Sequence, residues 1–178
     1  MDFGYEHPFA AAELVHDRDT DTVYVAKCHR LKEASPIEHA AAIRAWGKDL
    51  PWSWPRDGKR ETLEGAGIAL AEQYRAQGLN MLFEHAQFED GSVSVEAGIM
   101  MMLDRMRTGK LKVFKDHLDW WEEFRLYHRK DGKVVKEGDD LLCATRYALM
   151  MLRHAKTKSF NDRWRREIDY PKSWTAIA

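Results

Sequence analysis

The run Gly138-Asp139-Asp140-Leu141-Leu142-Cys143-Ala144-Thr145-Arg146-Tyr147-Ala148-Leu149-Met150-Met151 sets two adjacent acids at the head of a strongly apolar helix. Leu141, Leu142, Ala144, Tyr147, Ala148 and Met151 recur near a period of 3.6 and mark a buried face. The acids therefore lie close to the core, where charge is costly unless a cation compensates it. The pair is either an N-cap or a metal site, and the rest of the chain must decide between them.

The elements upstream set the frame. Met1–Tyr5, Phe9–Asp17 and Thr22–Arg30 read as three antiparallel strands, the first very short and carrying Asp2 and Gly4. Ser35-Pro36-Ile37-Glu38 reads as an N-cap with proline at the first helical position, opening a helix that ends near Gly47. A strand at Leu50–Trp54 is closed by Pro55, and Arg56-Asp57-Gly58-Lys59-Arg60 follows as a loop. A helix is expected over Glu61–Gln77, a strand at Asn80–Phe83, a helix from Ser94 to Arg107, a strand at Leu111–Phe114 and a helix at His117–Tyr127. Lys130-Asp131-Gly132-Lys133 marks a hairpin, and the Asp139 helix runs on to about His154. Strands then helices in the order βββαβαβα, with that hairpin before the last helix, imply an α/β fold: a mixed sheet flanked by helices, as in ribonuclease H-like folds.

With 178 residues, 44% hydrophobic and 32% charged, the chain suits one domain with a well-filled core. We divide it into a domain over 1–155 and a basic tail over 156–178. From Arg153 onward, seven Lys or Arg stand against three acids. The formal charge of −1 predicts no overall attraction to a polyanion, so nucleic-acid contact must come from local patches. Cys28 and Cys143 form no CxxC and read as reduced, small apolar residues. No apolar run approaches a membrane span and no signal peptide opens the chain, which predicts a soluble protein. No Walker motif or HExxH occurs, and Asp2-Phe3-Gly4 lacks the other kinase motifs.

On such a sheet the first strand is central and ligands bind near strand ends. Asp2 lies on that strand, Asp57 just beyond the fourth and Asp139 and Asp140 at the last helix. Singly, each has an ordinary reading as a turn or cap residue. Together they predict convergence, stable only with cations. Oxygen ligands alone select Mg²⁺ or Mn²⁺. Two such ions roughly 3.5–4 Å apart can activate water and stabilise the leaving oxygen of a phosphodiester. Lys59 and Arg60 could meet the phosphate; Arg129, Lys130, Lys133 and Lys136 give the hairpin a basic surface suited to positioning DNA, or equally a solvated one. Glu84 is a weaker candidate acid; Glu96, Glu123 and the histidines, His7 among them, read as structural or surface residues.

Several blocks resemble, in order, the C-terminal nuclease domain of tailed-phage large terminase subunits of the headful-packaging type. They are Asp2-Phe3-Gly4-Tyr5-Glu6-His7-Pro8-Phe9-Ala10-Ala11, Trp54-Pro55-Arg56-Asp57-Gly58, Val95-Glu96-Ala97-Gly98-Ile99 and Gly138 to Tyr147, within residues 1 to 155. The resemblance implies a metal-dependent endonuclease that cuts concatemeric double-stranded phage DNA in the host cytoplasm. Its catalytic metal ligands would be Asp2, Asp57 and Asp139, with Asp140 adjacent. It also implies a packaging ATPase domain, a portal and a small terminase subunit as partners, and a monomeric isolated domain. Three departures stand out: no ATPase precedes Met1, as in an excised domain or prophage fragment; Asp140 stands where many relatives have His; Cys143 stands where they have a further Asp. The competing reading is a catalytically weak docking module that binds portal or DNA. An actin-type phosphate-binding domain ranks last, because one lobe of this length cannot enclose a nucleotide.

Overall fold

The computed structural model describes residues 1–59, 68–135 and 137–157. Arg60, Lys136, the start of the helix expected from Glu61 and nearly all of the basic tail lie outside the described residues.

Strand β1 (Phe9–Asp17) and strand β2 (Thr22–Leu31) form an antiparallel pair in register from Phe9↔Leu31 to Asp17↔Thr22. Their polar turn is closed by the Asp17 carboxylate, which accepts the Asp19 N–H at 3.1 Å and the Thr20 hydroxyl at 2.7 Å. Strand β5 (Leu111–Val113) joins β2 in parallel. A second sheet pairs β3 (Pro51–Trp52) with β4 (Asn80–Met81), also in parallel.

Met1–Phe3 runs between the two sheets. Asp2 exchanges both backbone hydrogen bonds with Ala10, at 2.7 and 3.1 Å, and the Met1 amino group donates to the Ser53 carbonyl at 2.8 Å. The first strand expected over Met1–Tyr5 is thus reduced to a single bridge at Asp2, but its central position is as the order of elements predicts.

Alternation along β1 feeds two cores. Phe9 and Ala11 face one side, where helix α1 (Pro36–Arg44) and helix α2 (Leu70–Ala76) pack. Ser35 and Glu38 cap α1 reciprocally, and Phe9 stacks on His39 with ring centroids 4.1 Å apart. Ala10 and Ala12 face the other side, against Met102 of helix α3 (Val95–Arg107), Trp120 of helix α4 (Leu118–Leu126) and Leu141 of helix α5 (Asp140–Met150). The two-stranded hairpin of β6 (Arg129–Lys130) and β7 (Lys133–Val134) turns through Asp131 and Gly132, both at positive φ. The helix expected to reach His154 ends at Met150 and tightens into a 3₁₀ turn, Leu152–His154. The result is the ribonuclease H-like arrangement: a mixed sheet with helices on both faces.

Candidate active site

Asp2 sits at the middle of this frame, with one carboxylate oxygen accepting the Phe3 N–H at 3.1 Å. Asp57 stands on Arg56–Lys59, a 3₁₀ turn rather than the open loop expected. Gly58 explains how that turn reaches the strand. A Cβ there would lie 2.5 Å from Phe3 Cε2 and 2.7 Å from Trp54 Cε3, so only glycine lets the backbone rest on both rings.

Asp139 occupies the N-cap position of α5 but makes no side-chain cap. Glu123 of α4 does that work: its buried carboxylate accepts the Leu141 N–H at 2.7 Å and the Leu142 N–H at 3.1 Å, and takes Arg30 Nη1 at 3.0 Å. Asp139 Oδ2 instead accepts the Cys143 thiol at 3.4 Å. Asp140 is buried, with His7 Nδ1 3.5 Å from its Oδ1.

The electrostatics join these positions. Burial first, and then the charges of Asp57, Asp140 and Asp139, push the Asp2 carboxyl up to about 7 against the opposing pull of the Met1 amino group. The Asp140 carboxyl is raised by burial and by Asp139, partly offset by His7. Acids from two other places in the chain therefore bear on the Asp2 carboxyl. Among the described residues no three His, Cys, Asp or Glu side chains already form a metal cluster. In kind, the donors suit a hard divalent ion: all are carboxylate oxygens, and the half-buried Asp2 anion is destabilised by its neighbours.

Other expected residues spread differently. Lys59 is exposed on the Asp57 turn. Arg129 is held by Glu96 across from the hairpin, whereas Lys130 and Lys133 are exposed on it. Glu84 is exposed and accepts Gln87 Nε2 at 2.6 Å, and it is not among the groups acting on Asp2.

Two functional-site neighbours carry weaker sequence signals. His7 reaches Asp140 from the loop after Asp2, and no local pattern marks it. Arg146 is buried, with its guanidinium 4.6 Å from the Tyr147 ring centroid and Nη2 3.6 Å from Cys143 Sγ. Its signal was available: a lone Arg inside an apolar helix that also carries acids. Gly98 of α3 packs on its stem, where a Cβ would lie 2.6 Å from Arg146 Cδ.

A ribonuclease H-like sheet with Asp2 on its central strand, and Asp57, Asp139 and Asp140 acting on that carboxyl from a 3₁₀ turn and the head of α5, is the arrangement of a nuclease-type domain. The chain belongs to the Terminase RNaseH-like domain family, which matches residues 1–152. It is 43% identical over 157 residues to the terminase large subunit of Salmonella phage P22, covering 88% of this chain and 31% of that protein. Its identity to the large subunit of Enterobacteria phage LP7 is also 43%, over 85% of this chain and 32% of the relative. The chain thus spans about a third of the length of these relatives. The solved nuclease domain of the P22 large terminase superposes with a TM-score of 0.80 at 43% identity, covering 87% of this chain and 80% of that one. The fold also extends to the large-terminase nuclease domain of bacteriophage SPP1 with bound Mn, at a TM-score of 0.59 and 17% identity, covering 83% of this chain and 81% of that one.

Proposed function

We propose that this domain is a divalent-metal-dependent endonuclease that hydrolyses double-stranded phage DNA during genome packaging, cutting the concatemer. The observation that carries this reading is the coupling of Asp57, Asp139 and Asp140 to the half-buried Asp2. Asp2, Asp57 and Asp139 would hold Mg²⁺ or Mn²⁺, two ions in all, with Asp140 adjacent. Bound ions would supply Lewis acidity to the phosphodiester and an activated water.

The chain's own residues do the rest. Glu123 anchors the N-terminus of α5, leaving the Asp139 carboxylate turned away from the helix amides. His7 holds Asp140. Lys59, with Arg60 beside it in sequence, supplies positive charge next to Asp57, and the exposed Lys130 and Lys133 offer phosphate contacts along the hairpin, with Lys136 near them in sequence. In the complete terminase the partners would be the packaging ATPase domain, the portal and the small subunit.

Plasmid cleavage with Mn²⁺ tests this directly. The parent chain nicks and linearises DNA, and Asp139→Asn loses at least about a hundredfold in rate; equal nicking by the variant overturns the proposal. A docking module that binds portal or DNA without cutting is favoured by the dispersed carboxylates. It predicts no metal uptake by calorimetry alongside retained binding.

A further inference from the structure

Asp139, Cys143 and Arg146 are spaced i, i+4 and i+7 at the head of α5, which puts them on one helix face. The Cys143 backbone N–H donates to the Asp139 carbonyl at 2.8 Å, and its thiol lies 3.4 Å from Asp139 Oδ2. On the other side of that sulfur stands Arg146 Nη2, at 3.6 Å. A guanidinium has donors and no acceptor, and an ionised carboxylate has acceptors and no donor. The thiol proton therefore cannot point at Arg146. The sulfur accepts from the guanidinium and gives its own proton to Oδ2. Among the described residues Asp139 Oδ1 takes no hydrogen bond.

The surroundings hold the guanidinium in place. Arg146 is only 5% exposed, and its charged end lies 4.6 Å from the centre of the Tyr147 ring. Helix α3 presents Gly98 to its stem, where a Cβ would lie 2.6 Å from Cδ and 2.8 Å from Cγ. Glycine weakens a helix interior, so α3 gives up stability to admit this side chain. Yet the buried cation pairs with no carboxylate among the described residues. Burying a charge without an ion partner is costly, and an apolar side chain of the same length would fill the space without that cost. The bond that an apolar side chain could not make is the one to Cys143, which leads to Asp139.

We propose that Arg146 and Cys143 are positioning residues for Asp139: the guanidinium orients the thiol, the thiol engages Oδ2, and Oδ1 is left for a divalent ion. This rests on the reading of Asp139 as a metal ligand. Neither residue is itself a ligand. They select one arrangement of the Asp139 carboxylate in advance, so that ion binding does not have to order it.

Calorimetric titration of Mn²⁺ into the full 178-residue chain tests the relay, with the urea midpoint of each variant as a check on folding. Cys143→Ala removes the donor to Asp139, and Arg146→Met keeps an unbranched apolar stem without the guanidinium. Each weakens Mn²⁺ binding about tenfold. The double variant binds no more weakly than the weaker single one, because both changes break the same chain of bonds. Cys143→Ser keeps a donor and stays within about threefold of the parent. Unchanged affinity in both single variants overturns the proposal. So do losses that multiply in the double variant, which is the behaviour of two independent packing defects. Should Arg146→Met fail to fold, Cys143→Ala against Cys143→Ser decides, and equal affinities in those two overturn the relay.

A readout that needs no metal separates the relay from the wider reading. The S–H stretch of Cys143 is isolated as the infrared spectrum of the parent minus that of Cys143→Ala. It lies below the position of a free thiol and moves up in Asp139→Ala. A band at the free-thiol position overturns the relay. A parent that shows the lowered band and takes up no Mn²⁺ overturns the metal reading of the site while upholding the bond from Cys143 to Asp139.

Discussion

Glu123 accepts the Leu141 N–H at 2.7 Å and so caps a helix to which it does not belong. The same carboxylate takes the Leu142 N–H and Arg30, which ties α4, β2 and the head of α5 to one buried group. Burial raises the Glu123 carboxyl to about 7, partly offset by the Leu142 N–H and Arg30. Glu123→Ala orphans two helix amides and the Arg30 guanidinium, at a cost of about 3 kcal/mol. Glu123→Gln keeps one acceptor and costs about half as much. Urea denaturation at pH 8, where the carboxylate is ionised, ranks the two; equal midpoints for Ala and Gln would refute the capping role.

Gly58 makes a second such joint, between the Asp57 turn and the strand carrying Asp2. In Gly58→Ala the new methyl meets the rigid rings of Phe3 and Trp54, so the turn must lift away. The expected loss of stability is about 1–3 kcal/mol. Metal affinity, read by isothermal calorimetry with Mn²⁺, falls further than the midpoint of unfolding does. Unchanged affinity would show that Asp57 is not a ligand.

Much of this was legible in the chain because it rests on local chemistry. The Ser35–Glu38 cap, the Asp131-Gly132 turn and the β1–β2 pair need only neighbouring residues. That Asp57, Asp139 and Asp140 bear on Asp2 was legible from their places at turns and at the ends of elements. The choice between cap and ligand for Asp139 was not legible. It depends on Glu123, an acid on another helix 18 positions away from Leu141 in sequence. The His7 contact to Asp140 likewise depends on how a loop folds over α5, and hydrophobic periodicity carries no trace of it. The short strands shrank, Leu50–Trp54 to Pro51–Trp52 and Asn80–Phe83 to Asn80–Met81, because ladder pairing ends before β-propensity does.

Asp2 gives the site a pH signature. Its carboxyl stands at about 7 in the folded protein, against 3.8 for a free aspartate side chain. Between those values the folded state binds more protons than the unfolded, so this group removes stability as pH rises through the window. Asp2→Asn has no such group. Its stability relative to the parent therefore grows from pH 4 to pH 7, by on the order of 2 kcal/mol or more. Millimolar Mn²⁺ at pH 7.5 stabilises the parent and not the variant, which narrows the difference again. Melting curves of both proteins across pH, with and without Mn²⁺, check this; parallel curves would show that Asp2 is not the strained carboxylate.

On the far side of the sheet, His39 gives the opposite slope. Its ring is buried against Phe9, Nδ1 pairs with the Tyr74 hydroxyl at 2.7 Å, and Nε2 has no partner among the described residues. Burial pulls the imidazole down to about 4 from 6.5, helped by the neighbouring His29 and opposed by Glu38. Between those values the unfolded chain binds the extra proton, so stability present above pH 6.5 is lost as pH falls toward 4, by up to about 3 kcal/mol. His39→Phe keeps the stack but strands the Tyr74 hydroxyl, which costs about 1–2 kcal/mol at pH 7.5. The variant starts less stable than the parent and lacks this acid loss, so the gap closes as pH falls and reverses near pH 5. Urea midpoints at half-unit pH steps locate the crossing, and a constant gap from pH 7.5 to 4.5 would mean that His39 takes up its proton equally in both states.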